Sequence, residues 1–188
     1  MLSVKFSRIL DKPLAPVAKA LSLRPNTITV LGMLITSSSA IVIPVNLFLG
    51  GLIILIGGAF DLLDGILARV NSTKTKFGAF LDSSLDRVAD GFIFLGLCLY
   101  FLRQEDNLAI GVTILGLIAS LTISYVRARA EGLGATCNVG LIERPERLIL
   151  LSFGCLTSLI WPVIVIVAAL SWITVLQRIL HVRKKLTD

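Results

Sequence analysis

The chain alternates long apolar runs with short polar breaks, and the runs fall at about residues 27–47, 49–70, 76–102, 107–130, 145–161 and 163–181. As helices rising about 1.5 Å per residue, runs of this length cross a hydrocarbon layer of about 30 Å. The joints at residues 46–51 and around Pro162 are so short that they predict tight hairpins. An even number of crossings returns the C-terminus to the side of the N-terminus. Ahead of the first run, Val4, Phe6, Ile9, Leu10, Leu14, Val17, Ala18 and Leu21 recur at helical spacing among Lys5, Arg8, Lys12 and Lys19. That pattern predicts an amphipathic helix in the headgroup layer, bent near Pro13 and Pro16. Arg24-Pro25-Asn26-Thr27 then punctuates the chain, with Asn26 or Thr27 able to cap the next helix. The expected fold is an all-α integral membrane protein of six transmembrane helices preceded by a juxtamembrane amphipathic helix. It forms a single membrane domain over residues 1–188, with an amphipathic segment at 1–24, the bundle at 27–181 and a basic tail at 182–188.

Composition narrows the class without moving the boundaries. A chain 55% hydrophobic and 16% charged, with mean hydropathy +0.90, is too apolar for a soluble domain. A net charge of +6 would suggest nucleic acid in a soluble protein. Here the basic residues sit at the ends of apolar runs, which is the pattern of membrane orientation and implies no nucleic-acid partner. The N-terminal segment, the 69–76 and 127–147 loops and the tail from Arg178 to Lys185 carry nearly all of them. The opposite face offers Arg103, beside Glu105 and Asp106. The positive-inside rule therefore places both termini and the rich loops in the cytoplasm, and the first 26 residues show no cleavable signal core. Cys98, Cys137 and Cys155 are too far apart for a metal or redox motif and read as packing residues. His181 reads as a residue at headgroup level.

The exception to this apolar pattern is the stretch from residue 61 to residue 90. Asp61 and Asp64 are three residues apart, and Asp82 and Asp86 four apart, so each pair shares one face of its helix. Ionised carboxylates do not face lipid, where each costs about 2.5–3.5 kcal/mol on insertion scales. Arg69 and Arg87 could pair with some of them, but two cations cannot neutralise the group, and close carboxylates oppose one another's ionisation. A divalent metal resolves the conflict. All-oxygen ligation points to Mg²⁺ or Mn²⁺ before Ca²⁺. Gly65 and Gly78 allow a close approach beside the acids. Asn71, Ser72, Thr73, Lys74, Thr75 and Lys76 form a loop dense in phosphate donors. Together these features suit transfer of a phosphoryl group that carries a lipid.

The pattern Asp61-x₂-Asp64-Gly65-x₂-Ala68-Arg69-x₈-Gly78-x₃-Asp82-x₃-Asp86 resembles the full signature of the CDP-alcohol phosphatidyltransferases. That resemblance implies six transmembrane helices behind an amphipathic one, commonly a homodimer, and displacement of CMP from a CDP-linked lipid by an alcohol. It implies that Asp61, Asp64, Asp82 and Asp86 hold two divalent ions and that Asp86 also takes the proton of the attacking hydroxyl. Gly65, Ala68, Arg69, Thr75 and Gly78 would shape the CDP pocket. Asp90 lies outside the signature and is expected to be structural.

A second basic stretch bears on the acceptor. Arg127 and Arg129 end the fourth run and Arg147 opens the fifth, and three guanidinium groups reaching one cavity would clamp a phosphate. Glu131, Glu143 and Glu146 could instead neutralise part of this cluster. Tyr125-Val126-Arg127-Ala128-Arg129-Ala130-Glu131 and Glu143-Arg144-Pro145-Glu146-Arg147 are similar to segments of the phosphatidylinositol-phosphate synthase branch and its archaeal ether-lipid relatives, with Arg127 where that branch usually has Lys. The expected reaction joins CDP-diacylglycerol or CDP-archaeol to inositol 1-phosphate. Glycerol 3-phosphate, as in a phosphatidylglycerophosphate synthase, is the alternative acceptor, and a cation transporter is the alternative from another class.

Overall fold

The computed structural model describes residues 25–70 and 75–187, without the side chains of residues 68–70. The amphipathic segment expected at 1–24 and most of the phosphate-donor loop lie outside the described residues, as do the side chains of Ala68 and Arg69. Six helices make up the described structure: α1 Pro25–Val42, α2 Leu47–Val70, α3 Lys76–Arg103, α4 Asn107–Gly132, α5 Arg144–Leu156 and α6 Ile160–Thr187. Local chemistry sets several of their ends. Pro25 opens α1, where its missing N–H costs nothing. Asn46 Oδ1 accepts from Leu49 N at 3.0 Å at the start of α2, and Asp106 Oδ1 accepts from Ala109 N at 2.9 Å at the start of α4.

Among the described residues four helices, α1, α2, α4 and α6, are long and apolar enough to cross a membrane. This makes the chain a helical membrane protein. The long α3 carries Asp82, Asp86, Arg87 and Asp90 between its start and its midpoint region and is apolar only beyond them. The run expected at 145–161 is broken. Its helix α5 has 13 residues, about 20 Å, and ends at Leu156, with Ser158 in the left-handed region at φ 60°. Apolar Leu156, Leu159 and Ile160 hide that break from a hydropathy reading. The tail expected beyond residue 181 instead continues α6 to Thr187, with Lys184 and Lys185 in its last turn, where cations suit the helix dipole.

Each helix packs chiefly on two others, and the contacts close a ring in the order α1, α2, α5, α6, α4, α3. The acid-bearing helices α2 and α3 both lean on α1. The main apolar core, with Ile54, Phe94, Leu97, Leu151, Ile164 and Val167 fully buried, fills the ring toward the short turns. At that end Arg103 Nη1 donates to Pro44 O at 2.8 Å, tying the α1–α2 turn to the end of α3. In a bilayer the helices gain little from leaving lipid, so close backbone approach counts for more. Gly57 supplies one such approach. A Cβ there would stand 3.0 Å from Thr36 Cβ and 3.2 Å from Thr36 Cα. Cys137 and Cys155 are buried in apolar clusters.

Candidate active site

The other end of the ring is polar. Spacing on α2 and α3 turns Asp61, Asp82 and Asp86 toward a cleft of about 340 Å³ that Arg144 and Pro145 of α5 close. The remaining wall of this cleft is apolar, with Ile54, Leu55, Leu62, Leu148 and Ile149. Leu55, Leu62 and Ile149 are exposed on the outer surface, so the cleft opens between α2 and α5 where lipid would lie.

Asp64 is buried one turn from Asp61, and its Oδ2 accepts from Thr29 Oγ1 of α1 at 2.6 Å. It remains close enough to Asp82 and Asp61 for their charges to interact. At the mouth of α3, Thr75 Oγ1 caps the helix by accepting from Gly78 N at 2.9 Å. A Cβ on Gly78 would lie 3.0 Å from Thr75 Oγ1 and 3.1 Å from Asn26 Oδ1, so a side chain there would crowd the place where the starts of α1 and α3 meet.

The cation that meets the acids is Arg144, which pattern reading had not assigned to the site. Its Nη1 contacts both Asp61 Oδ2 and Asp86 Oδ1, the latter at 2.9 Å, and its Nε donates to Asp90 Oδ1 at 3.2 Å. Asp90 also accepts from Arg147 Nη2 at 2.9 Å. Asp90 therefore links two arginines of α5 to α3. Arg87, expected as a partner of the acids, turns its Nη1 to the carbonyl of Ser83. One signal could have pointed to Arg144: it stands three residues from Arg147, so one helical face presents both guanidinium groups.

On the far side of Arg144 lies a second cleft, of about 180 Å³, lined by Asp86, Asp90 and Glu143 together with Arg87, Arg127, Arg144, Arg147 and Arg178. Arg127 and Arg147 of the expected clamp both line this cleft, with Arg127 Nε also paired to Glu131 Oε1 at 3.0 Å. Arg129 is exposed and lies outside this lining. Arg178 is buried, donating to Val139 O at 2.8 Å and Ile123 O at 2.9 Å, with Glu143 at 3.5 Å. It pins the 133–143 loop over the cleft.

Four carboxylates with no sulfur or nitrogen ligand suit a hard divalent cation in their donor chemistry. They are not gathered as a finished ligand set. Among the described residues no three acidic, histidine or cysteine side chains stand together as one, and Arg144 engages an oxygen of Asp61 and of Asp86.

This geometry defines an acidic site between an apolar and a cationic cleft. Residues 22–180 match the CDP-alcohol phosphatidyltransferase family. The chain belongs to that family and is a transferase. It is 39% identical over 180 residues to an archaetidylinositol phosphate synthase from Pyrococcus horikoshii, covering 93% of both chains. A phosphatidylinositol phosphate synthase from Mycobacteroides abscessus is 38% identical over 188 residues, with 95% of this chain and 85% of that one covered. Among solved structures, the Mycobacterium tuberculosis phosphatidylinositol phosphate synthase with CDP-DAG bound matches with a TM-score of 0.80 and 33% identity, over 95% of this chain and 94% of that one. The same enzyme in complex with manganese and citrate matches with a TM-score of 0.79, at 33% identity over 94% and 88% of the two chains.

Proposed function

We propose that the protein transfers the phosphatidyl or archaetidyl group of CDP-diacylglycerol or CDP-archaeol to a hydroxyl of inositol 1-phosphate, releasing CMP. The observation that carries this reading is the position of Asp86 and Arg144, which line both clefts. A lipid-linked diphosphate can enter by the apolar cleft and a phosphorylated alcohol by the cationic one, and the two meet at Asp86.

Asp61, Asp64, Asp82 and Asp86 would hold two divalent cations, Mg²⁺ or Mn²⁺, which when bound supply positive charge against the diphosphate. Asp86 takes the proton of the acceptor hydroxyl as that oxygen bonds to the lipid-bearing β-phosphorus. The bond from this phosphorus to the bridging oxygen breaks, and its electrons leave with CMP. Gly65, Ala68, Arg69, Thr75 and Gly78 shape the CDP site, which the junction of Thr75, Gly78 and Asn26 supports. Arg127 and Arg147, joined by Arg87, Arg144 and Arg178 rather than by Arg129, hold the acceptor phosphate as charge-assisted donors. The basic loops at this end favour a cytoplasmic site in the cell membrane. A homodimer is the expected assembly.

The names of the relatives favour inositol phosphate over glycerol 3-phosphate as acceptor. CMP release by the purified protein, supplied with CDP-archaeol or CDP-diacylglycerol, tests the reading with inositol 1-phosphate, glycerol 3-phosphate, serine and no acceptor. Release only with inositol 1-phosphate is expected. Release only with glycerol 3-phosphate would reassign the acceptor, and no CMP with any of them would defeat the reading.

A further inference from the structure

We propose that Arg144 is the resident cation of the carboxylate cluster, that a divalent metal displaces it from Asp61 and Asp86, and that the freed guanidinium passes to the acceptor cleft. The inference rests on the metal-binding reading above. Arg144 Nη1 lies on Asp61 and on Asp86, the latter at 2.9 Å, so the guanidinium and a metal compete for oxygens of two of the same carboxylates. A metal ion bound to those oxygens would stand directly against the guanidinium, with no carboxylate oxygen left between them to offset the repulsion.

The way out for Arg144 is already built. Its Nε holds Asp90 at 3.2 Å, and Asp90 is held independently by Arg147 at 2.9 Å. A rotation about this retained contact carries the Nη groups away from Asp61 and Asp86. The cleft on that side is the one Arg144 already lines with Arg87, Arg127, Arg147 and Arg178. That cleft sets five guanidinium groups against the carboxylates of Asp86, Asp90 and Glu143, and a tetrahedral dianion matches the excess of positive charge. Metal and acceptor phosphate then assist each other's binding, and thermodynamic linkage makes the assistance reciprocal. The cationic cleft reaches full strength only once the diphosphate side is loaded.

Manganese binding tests this without turnover. Free Mn²⁺ is followed by electron paramagnetic resonance as it is titrated into the full-length protein in nanodiscs, for wild type, Arg144→Gln, Arg144→Lys and Arg87→Gln, with and without sodium sulfate as the dianion probe. Arg87 lies within electrostatic reach of Asp82, yet its guanidinium bonds to the Ser83 carbonyl, so its removal in the sulfate-free titration reports the through-space effect on the metal site. Arg144→Gln is expected to tighten Mn²⁺ binding about tenfold or more, and Arg87→Gln by less than about threefold. Sulfate should tighten Mn²⁺ binding in wild type and have no such effect in Arg144→Gln. If Arg144→Gln does not fold, Arg144→Lys stands in, because a single ammonium cannot bridge Asp61, Asp86 and Asp90 and should also bind Mn²⁺ more tightly than wild type.

Equal or weaker Mn²⁺ affinity in the Arg144 variants, or the same gain in Arg87→Gln, overturns displacement while leaving the metal site intact. A tighter variant with no sulfate effect in wild type overturns the passage to the acceptor cleft. No Mn²⁺ binding in any variant overturns the metal reading itself.

Discussion

Asp90 offers the sharpest separation of architecture from chemistry, because its neighbour one turn back on α3, Asp86, is the proposed base. Asp90 is 5% exposed and bonds Arg147 at 2.9 Å and Arg144 at 3.2 Å. At an effective dielectric near 20, each contact is worth about 5 kcal/mol of gross Coulomb attraction, most of it offset by desolvation of the three charges. Removing the carboxylate leaves two guanidinium groups of α5 short of a partner, and loss of one member of a buried pair costs about 3–5 kcal/mol. For a chain of this size that corresponds to a fall in Tm on the order of 10 °C. The assay is thermal unfolding of Asp90→Ala in nanodiscs, with Arg147→Met and the double variant completing a cycle. The double variant should lose clearly less than the sum of the singles. Asp90→Asn, assayed well below its Tm, should keep CMP release within about tenfold of wild type. A Tm for Asp90→Ala within about 2 °C of wild type, or additive losses in the cycle, would refute the structural assignment.

Three other variants probe the remaining parts. Asp86→Asn is expected to lower kcat by about 10²–10⁴ without a comparable loss of stability, and near-normal turnover would remove Asp86 as the base. Arg127→Ala should raise KM for the phosphorylated acceptor about tenfold or more, with KM for the CDP-lipid little changed; an unaltered acceptor KM would take Arg127 out of the cleft's function. Gly57→Ala forces a methyl group against Thr36 and should cost about 1–3 kcal/mol, read as a lowered Tm, whereas an unchanged Tm would show that α1 can retreat from α2 at no cost.

Hydrophobic patterning located the helices well because it responds to the same burial in lipid that forms them. The runs at 49–70, 76–102 and 107–130 correspond to Leu47–Val70, Lys76–Arg103 and Asn107–Gly132. It failed where two local preferences overlap: the break after Leu156 lies among apolar residues, and the basic end of α6 is made of good helix formers. The acid pairs were legible because spacings of three and four are properties of a single helix. Arg144 was not, because it meets Asp61 and Asp86 across 83 and 58 residues of sequence, and only the closing of the ring brings α5 to the faces of α2 and α3.

The start of α5 shows why those arginines are significant. A helix N-terminus carries partial positive charge and favours acids, and Glu143 and Glu146 follow that preference, with Glu143 N donating to the Glu146 carboxylate at 3.1 Å. Arg144 and Arg147 in the same turn run against it. A local rule broken twice in one turn requires compensation elsewhere, and here it comes from Asp61, Asp86 and Asp90 on other helices. The compensation is mutual, because the acids would otherwise stand in an apolar setting without a cation. Neither half is stable in its place alone, so the charges that make the site also hold α5 in register with α2 and α3. Any ligand that draws Arg144 away must bring enough positive charge of its own to take over that task.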